Sequence, residues 1–134
     1  VTEILDRLRV LTASLTSPDL LAKLVESLPD ALVVVDEGGL VILFNEQAEL
    51  LFGYHRSEVL GKAVEILVPE AARELHIKHR AGFVAEPRNR PMGLGLNLSG
   101  RHKNGSEFPV QINLSPVQTP DGLFVSAVIR KKRA

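Results

Sequence analysis

The chain of 134 residues contains no cysteine. Disulfide bonds and thiolate chemistry are therefore excluded, which fits a reducing cytoplasm. No apolar run approaches the roughly 18 residues that a membrane-spanning helix requires. The N-terminus opens polar and charged, without the pattern of a secretory signal. The first residue is Val1 and not methionine, so the sequence reads as a piece of a longer protein. No internal repeat and no low-complexity segment is present. Phosphate-loop chemistry is missing too: Ala63 follows Gly61-Lys62 where a Ser or Thr would be needed to reach a metal-bound phosphate. The glycine-rich stretch GLGLNLSG (93–100) lacks the strand-then-helix setting of a dinucleotide loop. Serines, histidines and acids occur, but no spacing organises them into a nucleophile–base pair. The chain is expected to be non-enzymatic.

What is present is one domain's worth of sequence, enough to bury roughly two-thirds of its unfolded surface in a core. Net charge is zero, but it is unevenly distributed. Residues 1–70 carry 5 Lys+Arg against 12 Asp+Glu, and residues 71–134 carry 11 against 4. The basic residues of the second half are scattered over several predicted elements with no aromatic platform among them. They read as a solvated face and not as a nucleic-acid surface.

Residues 2–15 have helical periodicity. Ile4, Leu8, Leu11 and Leu15 fall at spacings of four, three and four, a two-heptad seam suited to a dimerising flank or to packing on its own domain. SPDLLAKLVESL (17–28) predicts a second helix, with Ser17 as cap, Pro18 at the first helical position and Leu21, Leu24, Val25 and Leu28 on one face. The period then changes to two. ALVVVDEGGLVILFN predicts a hairpin, strand 31–36 and strand 40–44 about a turn at 37–39. Asn45 is placed to cap the helix EQAELLFGY, and Ser57 to cap a short turn after it. Val64, Ile66 and Leu67 form a short apolar piece ending at Pro69, and residues 70–84 a longer helix. AEPRNRP (85–91) reads as a loop. Three strands follow, 93–101, 108–118 and 123–132, joined by turns at Asn104-Gly105 and at 119–122. The fold class is α+β: five antiparallel strands with helices on one face, preceded by a flanking helix (1–16) and forming one domain over 17–134.

These residues carry a resemblance. FN-x-x-A-E-x-LFGY-x-x-x-EV-x-GK (44–62) and GRHKNGSEFPVQINLSPV (100–117), in that order and spacing, resemble the two halves of a PAS domain. The resemblance implies a cupped five-stranded sheet, helices 45–84 closing a pocket, and a sensory role beside an effector domain in a bacterial signalling protein such as a histidine kinase. It also implies dimers formed through the N-terminal flank and a cytoplasmic location. The cysteine-free composition removes the flavin-adduct and coumarate-binding branches of that family. Where many members end in a D-x-T coupling motif, this chain has Arg130, Lys131, Lys132, Arg133 and Ala134.

His76 and His79 lie on the predicted long helix, on one side with Ala72 and Phe83. Among PAS domains, His76 is similar in position to the proximal ligand of the oxygen-sensing haem kinases of root-nodule bacteria. The resemblance then implies a haem iron on His76 against an apolar wall of Leu94, Leu96, Ile112 and Leu114. Leu96 stands where those sensors have a distal Arg, and Leu94 where a related group has a distal Met, so the lever for bound oxygen is missing. A packed or solvent-facing His76 is the alternative. A zinc site is not expected, because only His55 and His102, both turn residues, remain to complete one. The expected function is a sensory domain that takes a small apolar ligand or a flat cofactor. The alternatives are a ligand-free interaction module, its cup filled by Leu51, Leu67, Phe83, Met92 and Phe108, and a haem sensor through His76.

Overall fold

The change of period after Pro29 marks the chain's entry into the sheet. In the computed structural model the described residues are 2–7, 17–88, 90–92 and 98–132. Leu8, Leu11, Leu15, Leu94 and Leu96 lie outside them. Residues 2–7 are helical (α1), and Ile4 is exposed there. α2 runs Pro18–Ser27 with proline in its first turn. Ser17 supplies only its carbonyl, which accepts from Leu21 N at 3.0 Å, so the expected side-chain cap is not formed. The apolar positions of α2 share one face as spaced, yet the helix buries none of its residues.

β1 (Ala31–Val35) and β2 (Val41–Phe44) form the predicted hairpin, with Leu40 reduced to an isolated bridge to Ala63. Gly39 turns the corner in the left-handed region, φ 81°, where glycine carries no Cβ penalty. α3 (Glu46–Phe52) follows at once and sends Ala48 and Phe52 inward. α4 (Arg56–Val59) is capped by His55 and not by Ser57: His55 Nδ1 takes the Ser57 N–H, and Glu58 returns to His55 N in a capping box. Imidazole nitrogen does here what a Ser or Asp oxygen usually does. Two 3-10 turns, Val64–Leu67 and Glu70–Ala72, lead into α5 (Arg73–Ala85). The long helix therefore begins three residues later than its periodicity suggested.

β3 (Arg90–Met92) and β4 (Ser99–Arg101) both pair with β5 (Glu107–Thr119), and β6 (Gly122–Lys131) returns beside it. The strand order is β2-β1-β6-β5-β3, all neighbours antiparallel, with β4 also on β5. β3 corrects the expected loop 85–91. Pro91 had read as a breaker, but an edge strand tolerates a residue without an N–H. β3 and β4 lie on one side of β5 and together stand for the fifth strand. At the opposite rim Val41 N donates to Lys62 O and Gly61 N to Val41 O, so residues 61–63 cover the edge of β2.

The core lies between the sheet and the helices. Alternation puts Val33, Val35, Phe44, Phe108, Val110, Val125 and Ile129 inward, against Phe52, Val59, Leu67 and Phe83. Three rings meet in tilted pairs: Phe44–Phe52 at 6.1 Å and Phe52–Phe108 at 5.6 Å between centroids.

Candidate functional site at the long helix

α5 is attached to the domain in an unusual way. Phe83 is its only buried residue, and Leu75 and Ile77 stand exposed. One to two turns before Phe83, His76 and Arg80 share a face at i, i+4. Both reach Glu65 in the first 3-10 turn. His76 Nδ1 lies 2.6 Å from Glu65 Oε2. Arg80 donates from Nε to Oε2 at 3.2 Å and from Nη2 to Oε1 at 3.1 Å. Glu65 is 6 % exposed, the one buried acidic side chain among the described residues. Its burial is tolerable because both oxygens are occupied by donors, one of them a guanidinium. Arg80 in turn lies over Gly39. A Cβ on Gly39 would come within 2.3 Å of Arg80 Cζ, so any side chain there would have to push the guanidinium aside as well as adopt a left-handed φ.

A carboxylate only accepts, so Nδ1 of His76 carries the hydrogen of this bond, and Nε2 is the ring nitrogen left for another partner. His76 is half-buried, whereas His79 and Ala72 are exposed. The two histidines therefore do not act as a pair, and no group of three or more metal-ligating side chains occurs among the described residues.

Of the four residues expected to form an apolar wall, Ile112 and Leu114 stand on β5 among the described residues. Phe108 and Val110 are buried, whereas Ile112 and Leu114, next along the same inward row, are half-buried against the core. Ala127, opposite Leu114 on β6, is half-buried likewise. Cover thus thins along β5 away from the aromatic cluster. Of the side chains expected to fill the cup, Leu67, Phe83 and Phe108 are buried and Leu51 is partly so. The side chain of Met92 lies outside the described residues. For a haem, the donor set fits: a metal-bound imidazole commonly gives its other N–H to a carboxylate, as His76 gives Nδ1–H to Glu65. Ile112 and Leu114 supply apolar wall, and Leu94 and Leu96 belong to the segment not described.

Sequence reasoning missed three residues. Glu65 lies inside VEIL, an acid between apolar neighbours. The i, i+4 spacing of His76 and Arg80 was the available sign that two donors share a target. Arg56 and Glu26, which pair with each other, are 30 residues apart and left no local signal.

A match to known sequences adds to this geometry. Residues 19–131 match the PAS fold family. The chain belongs to the PAS fold family. This PAS domain is 28 % identical over 110 residues to the sensor protein FixL of Bradyrhizobium diazoefficiens, covering 82 % of this chain and 22 % of that one. It is 33 % identical over 102 residues to the oxygen sensor protein DosP of Escherichia coli, covering 73 % and 12 %. The chain thus spans about a fifth and about an eighth of these relatives' lengths. Its fold matches the PAS domain of a protein from Colwellia psychrerythraea, with a TM-score of 0.72, 21 % identity and coverage of 85 % and 95 %. It also matches the PAS domain of an HTR-like protein from Haloarcula marismortui, with a TM-score of 0.70, 23 % identity and coverage of 84 % and 94 %. The described helices include none long and apolar enough to cross a membrane.

Proposed function

We propose that this PAS domain is the non-enzymatic sensory module of a larger cytoplasmic signalling protein, such as a sensor kinase. It takes a small apolar ligand or a flat cofactor between α5 and the inner face of β5–β6. One observation carries this reading: α5 buries only Phe83, while Ile112, Leu114 and Ala127 beneath the helical layer stay half-covered. A helix held by one apolar side chain and one buried carboxylate has few contacts to break when it shifts. Signalling then follows as a population shift, provided the ligand binds the two positions of α5 with different affinity. Relay runs through the sheet to the N-terminal flank, where Ile4, Leu8, Leu11 and Leu15 form the dimerising seam.

A second reading is favoured by the Glu65–His76 hydrogen bond and by the similarity to an oxygen sensor protein. In it His76 would hold a haem iron, Glu65 would fix the imidazole ring, and Leu94, Leu96, Ile112 and Leu114 would supply the apolar wall. Bound iron would supply gas or redox chemistry; the chain's own residues would orient the imidazole and exclude water.

Hemin is titrated into the wild type and His76→Ala and followed by visible absorption. The apolar dye anilinonaphthalene sulfonate is titrated into the wild type and Leu114→Trp and followed by fluorescence. A sharp Soret band lost in His76→Ala selects haem. Saturable dye binding lost in Leu114→Trp, without a specific Soret band, selects an apolar metabolite. If neither ligand binds and mass rises with concentration, the ligand reading is overturned in favour of a pure interaction module.

A further inference from the structure

α2 exposes Leu21 and Leu24, its C-cap Leu28 is exposed too, and the helix buries none of its residues, yet it has one defined seat on the domain. Leu20 and Val25 are half-buried, and the directed contacts that fix its position are polar. Asn45 is fully buried. Its Nδ2 donates to Val25 O at 3.2 Å, in the last turn of α2, and to Asp30 O at 3.1 Å. Its Oδ1 accepts from Leu32 N at 2.9 Å and from Ala48 N at 3.0 Å. Beside it, Glu26 of α2 accepts from Glu46 N at 3.0 Å. Arg56 of α4 donates to both oxygens of Glu26, at 2.8 and 3.2 Å, and to Glu49 Oε1 at 2.9 Å. One clamp therefore joins the flank to β1, α3 and α4. Asp30, between α2 and β1, belongs to it twice. Its carbonyl is held by Asn45, and its carboxylate takes Arg130 Nε at 3.1 Å and Nη2 at 2.9 Å. Arg130 stands at the C-terminal end of β6, so the entrance and the exit of the domain meet at Asp30.

We propose that α2 is a releasable arm, docked by the Glu26–Arg56–Glu49 clamp, and that Asp30 passes its release to the exit end of β6. Apolar burial is non-directional and yields gradually, whereas a set of directed hydrogen bonds and ion pairs is either in register or broken. Partly exposed ion pairs add little net stability and are screened by salt, which suits a dock that must let go while the core stays folded. The proposal rests on the reading that this domain relays through its flanks. Its test involves no ligand, so it succeeds or fails independently of what the cup binds.

Amide hydrogen exchange is measured on the whole chain for the wild type, Arg56→Ala, Glu26→Gln, Asp30→Asn and the Arg56→Ala/Asp30→Asn double variant. Glu26→Gln keeps the shape and removes the charge, which guards against a variant that fails to fold. Expected in both clamp variants is exchange of the α2 amides faster by about tenfold, with the central amides of β5 unchanged. The amides at 129–132 speed up alongside α2, and in the double variant they respond no further than in Asp30→Asn alone. Unchanged α2 exchange in Arg56→Ala overturns the clamp. Faster exchange of α2 and β5 together overturns the independent arm. A freed α2 with an unaltered β6 end overturns the role of Asp30.

Discussion

Phe52 of α3 and Phe108 of β5 meet as tilted rings, 5.6 Å between centroids and 52° between planes, directly over Gly100 of β4. A Cβ on Gly100 would sit 3.0 Å from ring atoms of both. The contact closes one end of the cup and joins a helix to two strands. Phe52→Ala removes a fully buried ring from this junction and is expected to destabilise the domain by about 3–5 kcal/mol, read from the urea midpoint. Such a loss is a large share of the stability typical of a small domain, so the variant is measured at low temperature.

Two glycines separate backbone strain from crowding. Gly39 and Gly61 have nearly equal positive φ, 81° and 80°, but only Gly39 has Arg80 against it. Gly61→Ala is expected to cost about 1 kcal/mol, the left-handed penalty alone. Gly39→Ala is expected to cost clearly more in the wild type and about the same as Gly61→Ala in an Arg80→Ala background. A double-mutant cycle on denaturant midpoints gives the difference.

Glu65→Ala strips His76 and Arg80 of their shared acceptor. Loss of hydrogen bonds to charged groups at a buried site is expected to cost about 1.5–3 kcal/mol. Because α5 hangs on this carboxylate, the loss appears first as faster amide exchange along residues 73–82 and only then in global unfolding. Equal protection of α5 in the wild type and the variant would mean that Phe83 alone holds the helix.

Acid acts on the clamp. Hydrogen bonds from Arg56 hold the carboxyls of Glu26 and Glu49 below the usual glutamate range, and the two acids in turn raise the Arg56 guanidinium above its ordinary value. A carboxyl depressed in the folded state contributes stability that is complete above its unfolded value, near 4.5. That stability is lost as pH falls through the lower folded value. Stability is therefore expected to be flat with respect to these two groups from pH 7 to about 5 and to fall below about 4.5. In Arg56→Ala the acid-dependent part of the urea midpoint shrinks, because Glu26 and Glu49 return toward their unfolded values.

The legible parts of this fold were those with a local cause. Phe108, Val110, Ile112 and Leu114 alternate on β5 as their period requires, and burial along the row follows. Asn45 caps α3, as a short acceptor before an apolar helix should. What was not legible depends on partners far away in sequence. The two extra bonds of Asn45, to Val25 and Asp30, have no signature in the helix it caps. Glu65 is buried only because α5 brings His76 and Arg80 to it from 11 and 15 residues downstream. His55 was passed over as a cap because a neighbouring serine fits the usual pattern better, and β3 was hidden by a proline that punctuates most sequences but is harmless on an outer strand. Half of the candidate site, the i, i+4 pair and the β5 row, was therefore present in the spacing. The carboxylate that joins α5 to the domain was not.

The rims of the sheet bear on how such domains associate. An open strand edge invites another strand to add to it, and proteins commonly blunt that invitation. Here one rim is occupied by residues 61–63 against β2, and on the other the three-residue β3 offers one donor fewer because its middle residue is proline. Among the described residues, β2 and β3 themselves present no long free ladder. Growth by strand addition, the route to open-ended polymers, is hindered along β2 and β3, which favours helices and sheet faces as the surfaces through which copies of this domain meet in closed, countable assemblies.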